Sequence, residues 1–459
     1  MVCELTPYPY QEEGSNRIRK DKRVLVADPM GTGKTMQLIL GNAHHKRILI
    51  VCPPTLKYVW QKEIAKWTGE ESLIINGAKD ASKVCSHTKW LIVNYECIRL
   101  KSVNISGRGG LVPSTAAGKV VFAWKPNSVI FDEADTLSNP KAAWSVGAMH
   151  LAKNTECVYP ATGTPWLIGV EDLWMMLHLV APQEYPSRWK FLIKHANAHQ
   201  GKWGWVWNEK ATDPTALARE IAPYFMRREI EDIGLQLPPK LPTQTINLPA
   251  TPEQERLFKE IKEEMVAEIN AGGDEFMLVQ TMLTKIGRLR QVSIDPRLVG
   301  SDKPGAKIAE CVRRVRGLPG KSVVFSCFSG AANLMSEELD KAGVKHVLMT
   351  GDTPQDVRGD LVKMYQEDDE VRAFVTTIKA GGPGITLTSG CETHFLDRHW
   401  VPSRNAQAEH RVDRIGQTKP VRVHNYITEE SVDQYVYDIS ERREQDKKEF
   451  MEALKRFLK

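Results

Sequence analysis

The chain has 459 residues, 42% of them hydrophobic and 26% charged, with a formal net charge of +5; it is too long for one ordinary core, so two domains of about 200 residues are expected, and too close to globular averages for disorder to dominate. That mild charge permits a polyanionic partner without requiring one. Eight scattered cysteines with no C-x-x-C pair argue against a zinc site or a disulfide frame, and the lack of an apolar leader or of an apolar run near ~20 residues argues against secretion or a membrane span, so a soluble, cytoplasmic protein is expected.

In chain order, short apolar runs alternate with helix-compatible stretches. "RVLVAD" (23–28) precedes a Gly-rich turn and "TMQLILGNA"; "RILIVCPP" precedes "YVWQKEIAKW"; "WLIVNY", "SVIFDEAD" and "CVYPATGTP" follow. Strand and helix in alternation predict a parallel sheet, whose ligands bind beyond the carboxyl ends of the strands. The pattern returns in "KSVVFSCF", "KHVLMTG", "RAFVTTI", "THFLDR" and "VRVHNYI", which predicts a second α/β domain. Between the two, the proline-rich "GLQLPPKLPTQTINLPATPEQE" reads as a linker, with the boundary near Leu237. The expected domains are therefore 1–236, 237–430 and a charge-laced C-terminal helix, 431–459, packed on the second domain.

The turn "ADPMGTGKT" carries Gly31-x-Gly33-Lys34-Thr35, but Asp28 stands where a generic phosphate loop has glycine. The minimal pattern alone arises by chance in roughly one chain in sixty of this length. Its place between a strand and a helix strengthens it. Backbone N–H groups of the turn would hold phosphate oxygens, Lys34 would reach the β- and γ-phosphates of ATP, and the Thr35 hydroxyl would ligate Mg²⁺. Such a loop needs carboxylates at a neighbouring strand end, and "SVIFDEAD" supplies Asp132 for Mg²⁺ and Glu133 to orient and deprotonate the attacking water. Positive charge against the γ-phosphate could come from Arg411 and Arg414 in "QAEHRVDRIGQ", read as sharing one helical face.

In order, the chain carries "PYQEEG", "DPMGTGKT", "PPTLKYVW", "DEAD", "TGTP", "VVFSCF", "AGGPGITLT" and "QAEHRVDRIGQ". These segments resemble the motifs of helicase superfamily two, and R-I-G-Q at the end resembles the Swi/Snf-type DNA translocases. "DLWMMLHLVAP", "FMRREIEDIGLQLPPK" and "RLRQVSIDPRL" resemble joints of the same family, while "KWGWVWNE" (202–209) is most similar to its annealing-helicase branch. The resemblance implies two tandem RecA-like lobes with an ATP cleft between them, and a monomeric, DNA-dependent ATPase that steps along duplex or forked DNA without sequence specificity. It further implies that Gln11 reads the adenine edge, that Gly31, Thr32, Gly33 and Gly384 complete the nucleotide contacts, and that Arg411 and Arg414 are arginine fingers. Thr162, Gly163 and Thr164, with Gln407 and Gln417, match segments that couple hydrolysis to movement; Pro53, Thr55 and Thr386 match segments that touch DNA. DEAD in place of DEAH, Pro383, the pair His410 and Asp413, and Pro29 depart from the family pattern. DEAD alone suggests an RNA helicase instead, and a non-hydrolysing ATP-binding scaffold is the alternative outside enzymes.

Tryptophan admits two readings. Trp60 and Trp67, seven apart on a presumed helix, are expected in the core. Trp203, Trp205 and Trp207 alternate in a polar, Gly-containing segment and predict a hairpin that either packs or presents aromatics to DNA, with Trp205 the candidate contact.

Overall fold

The structure, a computed structural model, describes residues 6–105, 108–166, 168–202, 204–234, 238–271, 275–380 and 385–458. Trp203, Leu237, Pro383 and Gly384, singled out above, lie outside them. The chain divides into two compact units, Met1–Leu235 with Arg443–Lys459, and Gln236–Arg442.

The first unit is built on a seven-stranded sheet in the order Phe225–Met226, Leu25–Val26, Cys157–Ala161, Ser128–Asp132, Ile48–Cys52, Trp90–Asn94, Ser72–Ile74. Every pairing in it is parallel. The apolar runs form strands because both faces are covered. Successive residues of Ile48–Cys52 point to opposite faces, so Leu49 and Val51 join one core cluster while Ile48, Ile50 and Cys52 join the other. Residues that follow the central strands, namely Asp28, Pro53, Glu133 and Thr162, are thereby gathered at one end of the sheet.

The second unit holds a six-stranded sheet in the order Gln244–Leu248, Arg422–Thr428, Gly390–Phe395, Lys321–Ser326, Ala373–Thr377, His346–Met349. It too is parallel throughout. The fold class expected from the sequence, tandem RecA-like α/β lobes with a C-terminal helix, is the one observed.

Two expectations need correction. Part of the stretch read as linker, Gln244–Leu248, is an edge strand paired with Arg422–Thr428; prolines on either side of it stop helices without stopping a strand at a sheet edge. The last helix, Val432–Leu458, does not pack on the second unit alone. Its first turns do belong there, where Lys307 donates to the buried Asp433 carboxylate and Val436 is buried. Beyond Arg442 its residues join the first unit: Phe450, Met451 and Leu454 enter a core cluster with Trp166, whose ring centroid lies 4.8 Å from that of Phe450. Arg443 pairs with Glu209 at 2.7 Å and Lys455 with Asp232 at 2.9 Å. Charge-laced periodicity identifies such a helix but carries no label for the body that receives each apolar stripe.

Candidate functional site

The loop after Leu25–Val26 runs into the helix Lys34–Asn42. Gly31 and Gly33 both sit at φ 80°, a left-handed conformation that L side chains seldom adopt. At Gly33 a side chain is excluded twice over, since a Cβ there would fall 2.4 Å from Gln11 Nε2. No side chain caps the helix start at Gly33, which leaves the first N–H groups and the positive end of the helix dipole for an anion. Lys34 Nζ donates to the carbonyl oxygens of Asp28 (2.8 Å) and Pro29 (3.0 Å). Burial pulls the Lys34 pKa down, against the opposing charges of Glu133, Asp28 and Asp132. A desolvated ammonium facing an uncapped helix start is suited to a polyanionic phosphate. Thr32 Oγ1 also donates to the Pro29 carbonyl, at 2.8 Å. Residue 29 makes both contacts through its carbonyl, so a proline, which lacks an N–H, is compatible with them.

Gln11 and Tyr10, on the helix Pro9–Lys20, close over the same turn. Gln11 Nε2 donates to Thr32 O at 3.1 Å and the Tyr10 hydroxyl donates to it at 2.9 Å. The Gln11 side-chain oxygen accepts from the Tyr8 N–H, so the amide is held at both ends.

Asp28 is the centre of a network that sequence reasoning missed. It is 1% exposed, and its carboxylate accepts the Arg228 backbone N–H (2.9 Å), Arg228 Nε (3.3 Å) and Gln37 Nε2 (3.3 Å). The Arg228 guanidinium also reaches the second carboxylate oxygen, Gln37 Oε1 and the Tyr10 carbonyl. It lies over the Tyr10 ring, 5.5 Å from the centroid. Gly14 of "PYQEEG" makes room for this arrangement, for a Cβ there would sit 1.9 Å from Gln37 Oε1. Asp28 thus ties the loop to two helices and to the segment leaving Phe225–Met226. Asp28→Ala should leave the half-buried Arg228 charge unpaired and cost about 3 kcal/mol of stability, with Asp28→Asn losing less, as read from urea midpoints. Equal midpoints for all three proteins would show that the pair does not hold the loop.

Asp132 ends the strand Ser128–Asp132, with Glu133 after it in a left-handed conformation, φ 52°. Trp60, expected in the core and indeed 1% exposed, donates its indole N–H to Asp132 Oδ2 at 2.7 Å, while the Glu133 N–H donates to Oδ1 at 3.0 Å. Burial pushes the Asp132 carboxyl pKa up, opposed by the Trp60 hydrogen bond and the Lys34 charge. A carboxylate held short of full solvation, facing a lysine, is a fitting ligand for a divalent cation. Thr162 Oγ1 donates to Asp135 Oδ1 at 3.2 Å and accepts the Thr164 N–H at 3.1 Å, and Gly163 lies against Met30 and the Lys34 ammonium. Within the first unit the structure therefore brings together Gln11, Gly31, Thr32, Gly33, Lys34, Asp132, Glu133 and the Thr162–Thr164 turn. Thr35 follows Lys34 in the same helix, half-buried.

Pro53 and Thr55 lie in the turn that follows Ile48–Cys52. Trp205 lies elsewhere in the unit, in the hairpin His199–Gly201 with Gly204–Val206, and is 38% exposed.

In the second unit one expectation fails. Arg411 and Arg414 do not share a helical face, because the helix Pro402–Glu409 stops before them. Gly416, at φ 99°, turns the chain, and Gln417 folds back to donate to the carbonyls of Gly390 (2.8 Å) and Val412 (2.9 Å). Arg414 Nη1 donates to Thr386 Oγ1 (3.0 Å) and to Ile385 O (3.3 Å), and burial weighs against its charge. Arg411 is buried at 6% exposure, and Gln407 accepts from Arg404 at 3.2 Å.

Two family models cover most of the chain, the first of them running from the first unit into the second. The SNF2-related domain model matches residues 10–298, and the helicase conserved C-terminal domain model matches 306–419. The chain is 27% identical over 454 residues to the "DNA annealing helicase and endonuclease ZRANB3" of Bos taurus, covering 95% of this chain and 40% of that protein. It is 25% identical over 440 residues to the "SWI/SNF-related matrix-associated actin-dependent regulator of chromatin subfamily A-like protein 1" of Xenopus laevis, covering 94% and 42% respectively. The chain thus spans about two fifths of the length of these relatives. A solved structure, the Sulfolobus solfataricus SWI2/SNF2 ATPase core in complex with dsDNA, is 24% identical at a TM-score of 0.42, over 95% of this chain and 92% of that one. With a family model matching more than half of its length, and with a loop, paired acids and strand-end turn assembled in one lobe, the chain belongs to the SNF2-related family of helicase-like ATPases.

Proposed function

We propose that this chain is an ATP-driven DNA translocase, which couples hydrolysis to movement along duplex DNA and so remodels forks, anneals strands or displaces bound proteins. The observation that carries the hydrolytic half is the convergence of the Lys34 ammonium with Asp28, Asp132 and Glu133 around an uncapped helix start. The names of the relatives, an annealing helicase and chromatin regulators, support DNA as the track.

In this reading Lys34 leaves the carbonyls of Asp28 and Pro29 for the β- and γ-phosphates, exchanging neutral partners for anionic ones. Glu133 orients the attacking water and accepts its proton. Thr35 and Asp132 would hold Mg²⁺, which when bound neutralises charge on the phosphates. Arg411 and Arg414 would meet charge that develops on the γ-phosphate, and Gln11 would read the adenine edge. Thr162 donates to Asp135, three residues beyond Asp132, so the path from the proposed metal-binding acid to the coupling segment runs through that short stretch of backbone and one hydrogen bond. Pro53, Thr55 and Thr386 would face the DNA backbone, giving affinity without sequence selectivity.

The test is the ATPase rate with linear duplex, forked DNA, single-stranded DNA and RNA side by side. Stimulation by duplex and forked DNA well above that by RNA is expected. A preference for RNA would make the chain an RNA helicase, and no stimulated turnover at all would make it an ATP-binding scaffold.

A further inference from the structure

Residues 185–208 contain no Asp or Glu, yet hold Arg188, Lys190, Lys194 and Lys202 and four of the chain's 12 tryptophans. The fold turns this bias into a surface. Trp189, on the helix Arg188–Ala196, stacks on Trp205 of the hairpin with ring centroids 4.6 Å apart and planes 22° from parallel. Trp207 meets Trp189 edge-on at 6.1 Å, and the Arg188 guanidinium lies over both Trp189 and Trp207. Arg188 and Trp207 therefore back the pair from within. Trp189 and Trp205 remain 36% and 38% exposed, and Ile193 and Val206 beside them are each 51% exposed. Lys190 and Lys194 on the same helix and Lys202 in the hairpin segment are exposed, and Lys194 pairs with Glu220.

Exposed indole planes in a segment that carries lysines and no Asp or Glu of its own fit a ligand that offers both flat π-faces and negative charge, even with Glu220 paired to Lys194. Unpaired bases of a DNA strand do so, whereas bases in a duplex already stack on one another. A protein partner is the poorer fit, because the centres of protein interfaces are depleted in lysine. We infer that the Trp189–Trp205 stack is a platform for unpaired nucleotides, which lets the first lobe grip the single-stranded arm of a fork while the motor engages duplex. This inference rests on the DNA-translocase reading for its purpose, though not for its test.

The experiment measures binding of the full chain to a fork with a single-stranded arm and to blunt duplex, by anisotropy, with a 2-aminopurine placed in the arm. In the wild type, stacking should quench the 2-aminopurine. Trp205→Ala should weaken fork binding on the order of 10-fold and abolish that quenching, with a loss on blunt duplex at least fivefold smaller, and Trp205→Phe should restore most of the affinity. Lys190→Glu, at an exposed site, should weaken fork binding and flatten its salt dependence, which keeps the test decisive if Trp205→Ala misfolds. Equal losses on fork and duplex, no quenching in the wild type, or a self-associated chain that Trp205→Ala disperses would overturn the platform. Absence of duplex-stimulated hydrolysis would instead remove the motor reading, with the binding measurements still deciding the platform.

Discussion

Lys34→Ala is expected to lower DNA-stimulated ATP hydrolysis on the order of 10³-fold, to the limit of detection, while leaving the protein folded. In the proposed mechanism the ammonium is the charge that the loop presents to the β- and γ-phosphates, and no other cation lies in the turn. Its removal from the nucleotide-free protein has two opposing effects. Two hydrogen bonds, to Asp28 O and Pro29 O, are lost, each worth about 1 kcal/mol. A partly buried cation whose pKa is already pulled down by desolvation is also removed, which offsets that loss. Thermal unfolding by circular dichroism should therefore shift by only a few degrees, alongside an ATPase assay showing no turnover. Retained DNA-stimulated hydrolysis in the variant would take this loop out of the mechanism.

Arg414→Ala is the second large effect: kcat should fall about 10³-fold or more, with nucleotide affinity changed far less. An arginine that meets charge developing on the γ-phosphate contributes to the transition state rather than to the ground state, so its loss belongs in kcat. Thr386 Oγ1 and Ile385 O accept from one nitrogen of the guanidinium and fix where the side chain starts from. Because a planar fork, rather than a point charge, suits phosphate oxygens, Arg414→Lys should recover little of the rate. The measurements are steady-state ATPase with duplex DNA and equilibrium binding of a fluorescent ATP analogue. A loss confined to binding would make Arg414 a nucleotide anchor and not a finger.

Sequence reading and structure part company in instructive places. Strand ends were legible because a buried parallel strand is a short apolar run with a polar residue after it, so Asp132 and Glu133 could be read as strand-end acids. Arg411 and Arg414 were legible as a motif but not as a conformation, since a spacing of three fits a helix and an irregular turn alike. Only Gly416 at φ 99° and the folded-back Gln417 show which it is. Trp60 was legible as buried, but its indole N–H on Asp132 was not, because periodicity reports which face is covered and not what the polar atom on that face meets.

Local spacing and alternation made the Gly-rich turn, the paired acids and the two α/β lobes legible, while the family was legible only through the resemblance of the ordered motifs to known ones, with which the matching family model agrees. The tertiary structure alone decided that Asp28 is bound to Arg228, 200 residues away, that Trp60 holds Asp132 across 72 residues, and that the last turns of Val432–Leu458 enter the core of the first lobe. It also set Trp189, from a helix, against Trp205 of the hairpin as one stacked, partly exposed pair. The physical reason is the same in each case: local pattern sets which side chains are buried, whereas the partner of a buried charge or ring is chosen by packing between segments that the chain brings together only on folding.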